Sequence, residues 1–155
     1  MEMLEAGAKA PVFMLEDMSG REQALPAVLS RGPVLVVLFK ISCPVCQLAM
    51  PYVERISKGS LQVIAISQDD ARATARFQKT FDISMPTLLD REEKGYPVSN
   101  GFRISHVPAM FLVEPDGVIS KSVSGFVKRD LVAMGQRAGI ETFRPDEEVP
   151  EWKAG

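Results

Sequence analysis

The chain has 155 residues, enough for one compact domain that buries its own core without disulfide or metal staples. Its 18 Lys and Arg against 20 Asp and Glu leave a net charge of −2, so no basic face offers itself to nucleic acid, and no nucleic-acid partner is expected. The opening MEMLEAGAKAPVF has neither the positive start nor the apolar core of a secretory signal, and no apolar run approaches the roughly 18 residues of a membrane span. The expectation is a cytoplasmic protein with no membrane partner, or a periplasmic one if an export signal has been removed.

The first clear element is residues 34–39, six apolar side chains in succession, Val-Leu-Val-Val-Leu-Phe. The run is too short for an ordinary helix and rich in β-branched residues, which predicts a strand buried on both faces by helices. In the following CPVCQLAMPYVERISK the period changes. Val45, Leu48, Ala49, Tyr52, Val53 and Ile56 recur at three and four, the stripe of a helix laid against a sheet. Pro44 suits the first helical turn, where its missing N–H has no partner to lose, so the helix starts at the cysteines. Pro51 falls inside the stripe and predicts a kink. LQVIAI at 61–66 reads as a second buried strand. DDARATARFQKTF places Ala73, Phe77 and Phe81 four apart behind acidic residues, a second long helix. Pro97 opens a short helical turn in PVSNGF. MFLV at 110–113 is a third strand, joined to a fourth through Pro115-Asp116-Gly117, residues that build a hairpin turn. VKRDLVAMGQRAGI predicts a closing helix with Leu131, Met134 and Ala138 inward and Gly139 at its end. The domain so outlined covers residues 1–140; residues 141–155, acidic and proline-bearing, form a C-terminal tail in which Trp152 is suited to dock on the body.

Only two cysteines are present, Cys43 and Cys46, at the junction of the first strand and its helix. A bond closing so small a loop stabilises a fold little, so chemistry is the better reading of the pair. A thiol attacks a disulfide only as thiolate, and the unpaired amides and positive dipole end of an emerging helix favour that form at the first cysteine. Cys43 is therefore the expected nucleophile. Cys46, nearly one turn up the same helix, is close enough to resolve a mixed disulfide and less exposed. Two rivals stand beside this reading. Both thiols could be small buried hydrophobes. They could be half of a zinc site, although His106 is the one histidine and no second CxxC completes the set. No cofactor and no metal is called for.

APVFMLEDMSG ahead of the first helix, the CxxC, Pro51 five residues after it, IAISQDDARATARF, MPTLLD and HVPAMFLVEPDGVI together cover Ala8 to Gly139. In that combination the chain resembles the thioredoxin-like thiol-disulfide oxidoreductases, in the branch that includes the TlpA and ResA proteins and shades into the peroxiredoxins. The resemblance implies an α/β thioredoxin fold, a central mixed sheet flanked by helices, with an N-terminal extension and a helical insertion. It implies that Pro108 is cis and lies beside the dithiol, and that Val107 offers backbone hydrogen bonds to an extended substrate. Expected partners are protein or small-molecule disulfides and thiols and a redox partner not yet identified, acting on a monomer or weak dimer.

The chain departs from that family at several points. Ser42 stands where tryptophan usually precedes the first cysteine. Leu38 and Ala49 stand where a buried aspartate or a glutamate would accept the proton of the second thiol. Lys40 could favour the Cys43 thiolate or simply be solvated, and Arg103 and His106 flank the site without an assigned role. A peroxiredoxin-like thiol peroxidase is the runner-up: with Cys46 as its reactive residue Cys43 takes the threonine position, with Cys43 Lys40 does, and the arginine position falls on Pro108. A redox-switched binding module without turnover is the third.

Overall fold

The computed structural model describes residues 2–155. Its first elements are a small antiparallel hairpin of β1 (Met14–Glu16) and β2 (Glu22–Ala24), then the short helix α1 (Leu25–Leu29). The apolar run becomes β3 (Val34–Phe39), and the cysteine-bearing stripe becomes α2 (Pro44–Ser57), which runs unbroken through Pro51. Next come β4 (Gln62–Ser67), α3 (Ala71–Phe81), β5 (Thr87–Leu89) and α4 (Pro97–Gly101). The chain closes with β6 (Ala109–Val113), β7 (Ile119–Ser124), β8 (Phe126–Val127), α5 (Lys128–Ala138) and β9 (Trp152–Lys153).

Five strands form the central sheet in the order β5-β4-β3-β6-β7, with β3, β4 and β5 parallel and β6 and β7 antiparallel to their neighbours. This is the mixed α/β sheet expected. All six β3 side chains are fully buried, and the pleat divides them between two cores. Leu35, Val37 and Phe39 pack with Cys46, Met50 and Val53 of α2, Phe77 of α3 and Leu131 of α5. Val34, Val36 and Leu38 pack with Phe13, Leu25 and Val28 of the N-terminal region and Phe102 beside α4. The N-terminal extension is therefore the cover of the second sheet face. Truncating a side chain such as Phe39 to Ala would cost about 3–5 kcal/mol.

α3 turns slightly from the expected stripe. Thr74, rather than Ala73, takes the fully buried position, because its hydroxyl pairs with Ser67 Oγ at 2.7 Å and so loses nothing on leaving water. Asp70 caps α3 by accepting from Ala73 N at 2.7 Å. The hairpin turn forms as read: Gly117 N donates to Glu114 O at 2.8 Å and Asp116 Oδ1 accepts from Val118 N at 3.0 Å.

Residues 141–155 return across α2 and α5. Thr142 Oγ1 donates to Leu131 O at 3.0 Å, in a space left open by Gly135, where any Cβ would collide with that hydroxyl. Arg55 of α2 holds Glu147 through two hydrogen bonds of 2.6 and 2.7 Å and donates to Thr142 O at 3.0 Å. The Phe143 ring lies 4.6 Å from that of Tyr52 and 6.2 Å from that of Phe126. The segment ends by pairing β9 with β8.

Candidate active site

Cys43 is the N-cap of α2. Its backbone is extended, at φ −85° and ψ 117°, and its sulfur accepts from Cys46 N at 3.2 Å, while its carbonyl receives Gln47 N at 3.0 Å. Pro44 occupies the first helical position, so the one amide missing from that turn is one that would have no intrahelical partner. Both cysteines are free thiols, and their surroundings differ sharply. Cys43 is partly exposed, whereas Cys46 has no solvent contact and belongs to the core around Phe39, Ala49 and Met50. Burial pushes the Cys46 thiol well above its ordinary range. The Lys40 backbone opposes that shift, and Cys43 and the Asp69 charge add to it.

Val107 and Pro108 lie on the other side of Cys43. The peptide bond between them is cis, Pro108 is buried, and the Val107 carbonyl accepts from Cys43 Sγ at 3.4 Å. The Pro108 carbonyl in turn receives Gly125 N at 2.8 Å. The structure thus brings Cys43, Cys46, Val107 and Pro108 together at the carboxyl end of β3, where sheets of this kind gather their chemistry. Lys40, Ser42, Arg103 and His106 are exposed, and the His106 ring pairs with its neighbour Ser105 at 2.8 Å. Leu38 and Ala49 are fully buried. Glu54, farther along α2, has its carboxylate committed elsewhere: it takes Ser84 N at 3.0 Å, Met85 N at 2.9 Å, Ser84 Oγ at 2.6 Å and Lys58 Nζ at 2.9 Å. Those bonds outweigh burial and keep the Glu54 carboxyl below its usual range. Among the described residues no group of three or more His, Cys, Asp or Glu side chains is placed to hold a metal ion. The surface depression bordered by Asp17, Arg31, Lys58 and Gln62 contains none of the four residues.

Three features of the site escaped the sequence reading. Asp69 Oδ2 accepts from Ile41 N at 2.8 Å and Gln47 Nε2 donates to Ile41 O at 3.0 Å, so the loop into Cys43 is pinned from both sides. The signal for Asp69 was the parallel pairing of the two apolar runs: Phe39 lies opposite Ser67, and the same register carried two residues on sets Ile41 beside Asp69. The third is the approach of the last residues to Val107, for which the sequence carries no local signal.

The AhpC/TSA family model matches residues 6–122, a span that holds both cysteines, Val107 and Pro108. The chain belongs to the AhpC/TSA family. Within that family it is similar to the thiol-disulfide oxidoreductase ResA of Geobacillus thermodenitrificans, 25% identical over an alignment of 144 residues that covers 90% of this chain and 78% of the relative. In structure it is similar to the thioredoxin domain of a thiol-disulfide oxidoreductase from Bacteroides vulgatus, with a TM-score of 0.75 at 19% identity over 86% of this chain and 97% of the other. It is also similar to the peroxidoxin BcpB from Mycobacterium tuberculosis, with a TM-score of 0.72 at 20% identity over 86% and 97% of the two chains. The α/β fold of this AhpC/TSA member is thus the thioredoxin-like one. No helix among its described residues is long and apolar enough to cross a membrane.

Proposed function

We propose that this AhpC/TSA member is a thiol-disulfide oxidoreductase that exchanges its Cys43/Cys46 dithiol with the disulfides of its substrates. The observation that carries the reading is the inequality of the pair: Cys43 is partly exposed with an amide aimed at its sulfur, and Cys46 is sealed in the core three residues later. Cys43 attacks a substrate disulfide as thiolate and forms a mixed disulfide, and the displaced sulfur leaves as a thiol. Cys46 then loses its proton and attacks the Cys43 sulfur, releasing the second substrate thiol. The net step moves two electrons and two protons from dithiol to substrate. Val107 and Pro108 form the wall against which the substrate sulfur meets Cys43. The ResA relative and the Bacteroides vulgatus domain bear names of the same activity.

The peroxidase reading has less behind it. Cys43 Sγ is bonded to Cys46 N and Val107 O, with no threonine or arginine side chain among its hydrogen-bond partners. A binding module switched by its disulfide state would use the same two sulfurs but would not turn over. Steady-state reduction of bis(2-hydroxyethyl) disulfide by dithiothreitol with catalytic amounts of protein separates exchange from a switch without turnover. Multiple turnovers per molecule support exchange, and a single stoichiometric event refutes it. A cytoplasmic setting would hold the pair reduced and ready to donate electrons.

A further inference from the structure

The short strand β8, which follows the Gly125 that donates to Pro108 O, is paired in a sheet of its own with residues near the end of the sequence. β9 pairs antiparallel with β8, setting Lys153 opposite Phe126 and Trp152 opposite Val127, and Glu151 O accepts from Lys128 N at 3.0 Å. Beyond β9 the backbone runs on to Val107. A Cβ built on Gly155 would stand 2.5 Å from Val107 O and 3.5 Å from Gly125 Cα. Val107 O is the atom that receives the Cys43 thiol. Gly125, at φ +78°, makes the approach possible, because any side chain there would collide with Lys153 O.

The segment is anchored well away from the sulfurs, by Thr142, Phe143 and the Arg55–Glu147 pair. Past Pro150 its attachment is lighter: a two-residue ladder, the Lys128 N–Glu151 O hydrogen bond, one ion pair of 3.6 Å between Lys128 and Glu151, and a Trp152 that is 62% exposed. It is therefore a stretch that can leave without unfolding its base. An extended peptide binds a sheet by adding a strand to a free edge and using its unpaired N–H and C=O groups. At β8 those groups are already paired. A small disulfide needs no ladder, only access to the Cys43 sulfur.

We propose that residues Trp152–Gly155 are a specificity element of the dithiol site, reserving Cys43 for small-molecule disulfides and excluding extended polypeptides while docked. The proposal rests on the exchange reading of Cys43 and Cys46. Steady-state turnover with dithiothreitol is compared for two substrates, bis(2-hydroxyethyl) disulfide and insulin, using the full chain and a chain lacking Pro150–Gly155. Removal of the segment raises insulin turnover about tenfold, the size of one or two net hydrogen bonds, and changes the small-disulfide rate less than about twofold. Gly155→Leu, whose side chain cannot fit against Val107 O, makes the same comparison without shortening the chain and shifts the ratio in the same direction. Small-disulfide turnover with an unchanged ratio in both variants overturns the specificity assignment alone. No turnover of either substrate by any form overturns the exchange reading and this proposal with it.

Discussion

Cys43 donates its thiol to the carbonyl oxygen of Val107 across 3.4 Å, joining the residue that caps α2 to the residue two positions before β6. Two segments more than sixty positions apart thereby meet at one sulfur. The same sulfur receives the Cys46 amide, so its donor and its acceptor come from different layers of the fold.

Unequal surroundings predict unequal variants. Cys43→Ser abolishes turnover because the accessible sulfur is gone. Cys46→Ser leaves the attacking sulfur in place and accumulates mixed disulfides with substrate, visible as a mass increase that dithiothreitol reverses. Equal residual activity in the two variants would falsify the assigned roles.

The buried thiol also gives a pH dependence. Burial raises Cys46 above its ordinary value of 9.0, so the folded dithiol keeps a proton that the unfolded chain gives up. That contribution to stability is fully present below about pH 9 and is lost as pH rises further. The difference in melting temperature between the reduced protein and Cys46→Ala therefore shrinks above pH 9; a constant difference from pH 7 to 10 contradicts the burial argument.

Glu147 titrates with the opposite sign. The Arg55 guanidinium and then the Arg144 amide hold its carboxyl at about 2, against an ordinary 4.5. Its contribution is present above pH 4.5 and lost as pH falls toward 2. Glu147→Gln flattens the stability profile over that window, read by circular dichroism or by the emission of Trp152, the one tryptophan of the chain.

Asp69 supports the loop into Cys43 from the end of the neighbouring strand. Asp69→Ala leaves Ile41 N without its acceptor, which costs about 1–3 kcal/mol of stability. Exchange slows several-fold while Asp69→Asn, which retains an acceptor oxygen, recovers most of the rate. If both variants exchange disulfides at the parent rate, Asp69 has no hold on the site.

How much of this was readable in the sequence follows from how local each cause is. The six-residue run of β3, the stripe of α2 and the Pro115-Asp116-Gly117 turn are each written in one short window, and each appears as read. β1 and β2, of three residues each, and β8 and β9, of two, are too short to carry a period. They exist because tertiary neighbours pair with them. Thr74 reads as polar until Ser67 is seen opposite it. Arg55 and Glu147 are 92 positions apart, and nothing near either residue announces the other. In the site, the cysteine spacing was plain from the start, while Asp69 needed the strand register and the Gly155 contact needed the whole fold.

Because both faces of β3 are dry, the strand that leads into the dithiol has no position for an ionised group. A carboxylate at position 38 would enter the apolar cluster that also holds Val36, Ala109 and Phe111, and would be neutral there or unfold its surroundings. The electrochemistry of the pair can accordingly be adjusted only from the solvent side, through Lys40 to Ser42, the Pro44-Val45 insert and the Asp69 loop. In this chain, substitutions that move the voltage of the pair belong there, with the hydrocarbon strand beneath left alone.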